Sequence, residues 1–162
     1  MHEFLLWLEA TAISTWVRES GSVWAYPTVI AGHTVGMSVL VGANAVLDLR
    51  VLGVAPQVPL GLLAVVFRAV WTGAAVSFVS GLLLFGADAT TKGTTTVFFV
   101  KLAFIAAAMV VAYRLSRTAY RPGAEAADIT VAARALAVAS LLLWAGAIAT
   151  GRFMAYLTPG PS

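Results

Sequence analysis

One imidazole, one ammonium and one guanidinium stand inside stretches of this chain that are otherwise apolar: His33, Lys101 and Arg152. An imidazole nitrogen ligates iron, copper or zinc, and fixed cations hold carboxylates or phosphates. Ionisable groups are costly in hydrocarbon and mark functional sites there. On a helix, Tyr26 falls about 20° from His33, Met37 about 40°, Asn44 about 20° and Asp48 about 60°. These five residues share one stripe. Lipid would not tolerate it, so the stripe faces a bundle interior or a cavity. Tyr156 follows Arg152 by one turn. Cations and an imidazole at similar depth point to an anionic ligand, such as haem with its propionates, a quinone headgroup or another small acid. The candidate cofactor-binding residues are therefore His33, Lys101, Arg152 and Tyr26, with His33 as the metal ligand.

The elements that must position these groups are four apolar stretches at about 26–47, 64–85, 96–115 and 131–157. Each is long enough to cross a hydrocarbon core, which takes about 20 helical residues. Of the 162 residues, 60% are hydrophobic and 10% charged, against about 25% charged in soluble domains. Mean hydropathy is +0.92. The expected fold is all-α: a polytopic antiparallel four-helix membrane bundle that uses residues 1–162 as a single domain. Residues 1–20 carry Phe4, Leu5, Leu8, Ala12, Trp16 and Val17 at helical spacing, with Glu3, Glu9 and Arg18 mostly elsewhere on the wheel. That pattern predicts one amphipathic helix lying in the interface, with Trp7 and Trp16 at headgroup level. The acids there, and the missing basic start, argue against a cleavable signal.

Composition excludes several functions. There is no cysteine, which rules out disulfides, thiolate metal sites, covalent c-type haem and cysteine catalysis. The net charge of +3 comes from basic residues at span ends rather than from a basic stripe with interleaved aromatics, so no nucleic-acid partner is expected. The expected partners are the lipid bilayer and either further copies of the chain or a larger membrane complex. No HExxH, P-loop or serine–histidine–acid set is present.

Several polar and small residues also have a structural reading. Gly32 and Gly36 form a GxxxG, and Gly73, Ser77 and Gly81 a second small-residue stripe; both are expected to serve close packing. Met37 reads as core. Lys101 and Arg152 have stems long enough to snorkel to the interface. Asn44 and Asp48 are expected to pair with Arg50 or Arg68 in a structural network.

The stretches Trp24-Ala25-Tyr26-Pro27 through His33-Thr34-Val35-Gly36, Leu47-Asp48-Leu49-Arg50, Ser80-Gly81-Leu82-Leu83-Leu84-Phe85 and Phe99-Val100-Lys101-Leu102 resemble a family of small bacterial four-helix integral membrane proteins of unassigned activity. A looser similarity links His33, Gly36, Arg50 and Lys101-Leu102 to CopD-type copper-resistance membrane domains and to HemJ-type protoporphyrinogen oxidases. The resemblance implies a haem-associated role, with His33 as an axial ligand and Lys101 as a site residue. The leading expectation is a haem b-binding or redox-associated membrane protein, an electron carrier or a small subunit of a complex. Three alternatives stand beside it: HemJ-like porphyrinogen oxidation, copper or small-solute transport, and a ligand-free structural subunit.

Basic residues set the expected topology. Arg50, Arg68, Arg114, Arg117, Arg121 and Arg134 flank two connections on one side, while Arg18, Lys92 and Arg152 flank the other. The positive-inside rule then places both termini in the periplasm of a bacterial inner membrane. Single introduced cysteines test this cleanly in a cysteine-free chain. Ser162→Cys should react with an impermeant thiol reagent on intact cells, and labelling only after permeabilisation would reverse the orientation.

Overall fold

The computed structural model describes residues 2–22, 24–59, 63–118 and 129–157. Among them the chain is all-helical: α1 His2–Glu9, α2 Ala12–Glu19, α3 Tyr26–Val51, α4 Leu63–Gly86, α5 Ala89–Thr94, α6 Thr96–Thr118 and α7 Val131–Leu157. Helices α3, α4, α6 and α7 are long and apolar enough to cross a membrane. The shortest has 23 residues, or about 34 Å of rise against a hydrocarbon core of about 30 Å. Their outward faces carry Val35, Val65, Phe78, Val110 and Leu142 in exposed positions. A continuous surface of that kind is solvated by lipid chains rather than water.

Local chemistry explains most of the boundaries. Pro27 sits in the first turn of α3, where it costs no intrahelical hydrogen bond. That helix runs four residues past the expected end at Leu47. It closes with Gly53 at φ 97°, with Gly53 N–H donating to Arg50 O and Val54 N–H to Leu49 O. This is a Schellman closure, whose left-handed residue favours glycine. Arg50 then ties down the following loop, donating from Nε to Val58 O at 2.9 Å and from Nη2 to Pro56 O at 2.8 Å.

The expected N-terminal helix is present as α1, and after a turn the segment continues as a second helix, α2. Thr11 is extended and its hydroxyl caps α2 by accepting Ser14 N–H, so the chain turns at Ala10–Thr11. The connection between the second and third apolar stretches holds the short helix α5, which long-range contacts from α1 support (below). Arg121 and Ser162 of the expected topology lie outside the described residues.

The spans pack as two close pairs, α3 with α4 and α6 with α7, joined through α3 against α7. The α3–α4 crossing depends on missing side chains. A Cβ on Gly73 would stand 2.6 Å from Leu40 N and 2.8 Å from Gly36 O, and one on Gly36 would stand 2.8 Å from Ser77 Oγ. Below this contact, Leu40, Leu47, Val70, Ala108 and Trp144 form the core, with Met37 packed against it. A second cluster of Val51, Leu115, Ala133 and Ala137 fills the far end.

Gly73→Ala should therefore destabilise the bundle by about 1–3 kcal/mol, because backbone rather than a flexible side-chain tip must give way. Gly42 has open space at its Cβ position, so Gly42→Ala should be neutral or gain up to about 1 kcal/mol of helix propensity. Thermal unfolding in micelles, followed by helical circular dichroism, separates the two; equal effects would refute the packing account.

Candidate functional site

His33 projects from α3 against α4, half-buried, over Gly81. A Cβ at Gly81 would stand 3.2 Å from the imidazole Cε1, so the glycine makes room for the ring. Nδ1 lies 3.0 Å from Ser77 O and 3.1 Å from Ser80 Oγ. The partners decide the tautomer. A backbone carbonyl can only accept. The Ser80 hydroxyl spends its one hydrogen on Val76 O at 2.6 Å, so it too accepts from the ring. Nδ1 therefore carries a proton, and in the neutral ring Nε2 keeps its lone pair. No described residue hydrogen-bonds Nε2. An imidazole whose Nδ1–H is held by a carbonyl is the usual state of a metal-ligating histidine.

Two cations stand near this ring. Lys101 on α6 and Lys92 on α5 are both within electrostatic range of His33. Lys92 is committed elsewhere, donating to Leu84 O at 2.8 Å and pairing with Asp88 at 3.5 Å. Lys101 is half-buried and lies along α7, its Nζ 3.8 Å from where a Gly151 Cβ would be. Among the described residues no carboxylate pairs with it. Arg152 is exposed and stacks on Tyr156 at 5.9 Å. Tyr26 is exposed at the first turn of α3. Of the four candidate residues, the fold thus brings His33 and Lys101 into one region and leaves Arg152 and Tyr26 at the surface.

Beside His33 an apolar groove of about 460 Å³ runs along α3 and α4. Gly32 and Ser80 lie in its wall, with Val29, Val76, Val79 and Leu83. Gly32 meets nothing where its Cβ would be. The two glycines of the GxxxG therefore differ in role: Gly36 packs helices, whereas Gly32 lines open space.

The far half of the His33 stripe is a buried polar rung. Asn44 Nδ2 donates to Asp48 Oδ2 at 2.6 Å and to Ser140 Oγ on α7 at 2.8 Å. The expected arginine pairing is not formed. Arg50 points to the loop carbonyls, and Arg68 is exposed. Two residues on from Asp48 is about 200° around a helix, so Arg50 leaves on the opposite face.

At the other end, α1 and α2 are latched onto the turn after α4. Glu9 Oε1 accepts Thr90 N–H at 2.6 Å and the Thr90 hydroxyl at 2.7 Å. It thereby caps α5, which receives no side-chain cap from Asp88. Arg18 donates to Ala87 O. Leu5 fits against Gly93, and Ser14 against Gly86. None of Ser77, Ser80, Ser140, Glu9 or Thr90 was expected at a site. Serine at the faces of apolar spans was the available signal for the first three. The Glu9–Thr90 pair, 81 residues apart, left none.

No group of three or more His, Cys, Asp or Glu side chains converges among the described residues. Comparison with protein-family models, with curated proteins and with solved structures finds no match.

The Glu9 latch has a calculable pH response. Burial pushes its carboxyl up, but the Thr90 hydrogen bonds and the Arg18 charge outweigh this and hold it below the ordinary carboxylate range. A depressed value stabilises the fold above the unfolded range, and the contribution is lost as pH falls through the folded value. Glu9→Gln should weaken the latch by about 0.5–2 kcal/mol at neutral pH, as other lost caps do. It should also abolish the acid-dependent rise in amide exchange at Thr90. Unchanged exchange in Glu9→Gln would remove the capping role.

Proposed function

We propose that this chain is a haem b-binding protein of a bacterial inner membrane, an electron carrier or a small subunit of a redox complex, with His33 as an axial ligand. The observation that carries this reading is the state of the imidazole: Nδ1–H is held by Ser77 O and Ser80 Oγ, and Nε2 keeps its lone pair with no described partner. The donor chemistry fits haem iron, which takes a single protein imidazole where a bare metal ion would need several ligands. Lys101, with no described carboxylate partner, is the cation suited to a propionate. When bound, the haem would supply one-electron chemistry. The chain's own residues orient the imidazole, hold its proton on Nδ1 and present a cation nearby. Arg152, stacked on Tyr156 at the surface, is left out of this assignment.

The transport alternative needs a hydrated path between His33 and Asp48. Leu40, Val70 and Trp144 fill that level with buried apolar side chains, which weighs against it.

Protein purified from membranes, or reconstituted with haem, should show a Soret band. His33→Ala should lose the band and stay helical. Lys101→Met should weaken haem binding about 10- to 100-fold while keeping the axial ligand, as expected for deleting one charge-assisted contact of about 1.5–3 kcal/mol. A wild-type protein that remains colourless after reconstitution overturns the proposal.

A further inference from the structure

We propose that Asp48 is a proton-binding site inside the bundle, present in the folded protein as the neutral acid and exchanging its proton at Oδ1. The site lies 15 residues along α3 from His33, about 22 Å, and does not rest on the haem reading.

Asp48 is 1% exposed, as is Asn44, and Ser140 is fully buried. Oδ2 accepts from the Asn44 amide. Oδ1 is buried with no hydrogen-bond partner among the described residues. An ionised carboxylate in such surroundings must be neutralised by a cation or by a proton. The charged groups of the packed elements face elsewhere. On α3, Arg50 bonds the loop carbonyls of Pro56 and Val58. Arg68 on α4, Arg114 and Arg117 on α6 and Arg134 on α7 are exposed, as is the titratable Tyr113 on α6. The ion pairs found among the described residues, Arg18–Glu19 and Lys92–Asp88, both lie at the His33 end.

The donor set separates a proton from a metal cation. Hard cations take six or more oxygen ligands. Here Asn44 turns its NH₂ group to both Asp48 and Ser140, so the amide itself occupies the side from which a cation would be held. A proton needs only the one free lone pair at Oδ1. In uptake, that lone pair forms an O–H bond with the proton of a hydronium ion, one O–H bond of hydronium breaks to leave water, and the carboxylate charge is cancelled. Release breaks the same bond.

Infrared spectroscopy of the protein in lipid vesicles tests this. Of the five Asp and Glu residues among the described ones, only Asp48 lies inside a span. Wild-type protein at neutral pH should show the carbonyl stretch of a protonated carboxyl. The band should shift in heavy water, disappear on raising the pH and be absent from Asp48→Asn. Asp48→Asn, a neutral isostere, should also lose the fall in thermal stability that the wild type shows as pH rises from the ordinary carboxylate range to the pH at which the band disappears. If Asp48→Asn does not fold, the wild-type band and its pH titration decide alone. A neutral-pH spectrum with only ionised carboxylates overturns the proposal. So does a band that responds to sodium or potassium rather than to pH.

Discussion

The close approach of α3 and α4 is the constraint on which the rest depends. It exists because neither Gly36 nor Gly73 has a Cβ, and the two backbones meet where side chains would otherwise stand. In lipid there is little hydrophobic drive between helices, so such close packing supplies the association. The same contact sets the distance from His33 to the next helix. One turn beyond it, the Ser77 carbonyl and the Ser80 hydroxyl come within hydrogen-bond range of Nδ1. The orientation and tautomer of the ring are thus consequences of helix packing.

Helix α3 presents one polar stripe with two different outcomes. At its start the stripe is half-open: His33 meets serines, a glycine and nearby lysines, with groove space beside Gly32. At its end the stripe is sealed: Asn44, Asp48 and Ser140 sit between two apolar clusters. Leu40, Val70 and Trp144 separate the halves. Polar groups in the open half have groove space beside them, whereas those in the sealed half have only one another, which leaves Asp48 Oδ1 without a described partner. This is the physical basis for reading His33 and Asp48 as separate sites.

The short helices supply the end of the bundle with a covering that the spans alone would lack. Asp88 leaves the first turn of α5 without a side-chain cap, and Glu9 provides one from the N-terminal segment. Phe4, Trp7, Ile13, Trp16 and Trp24 remain exposed on this covering, where amphipathic aromatics suit the headgroup level. The latch therefore joins a membrane-surface element to the turn that carries Lys92.

Composition and hydrophobic length alone determined the all-α membrane bundle, because a backbone crossing hydrocarbon has to satisfy its own hydrogen bonds and a run of about 20 apolar residues leaves only a helix. Span starts at Tyr26, Thr96 and Val131 were legible for the same reason, as was the inward stripe of α3, since helical periodicity is a local property. The tertiary structure decided what each polar group meets. Arg50 turned out to hold a loop, because it leaves α3 on the face opposite Asp48. Asn44 found Ser140, 96 residues away, and Glu9 found Thr90. The difference between Gly32 and Gly36, identical in sequence terms, depends on which of them the neighbouring helix crosses. Such pairings follow from helix rotation and crossing in three dimensions, and no spacing within a single span encodes them.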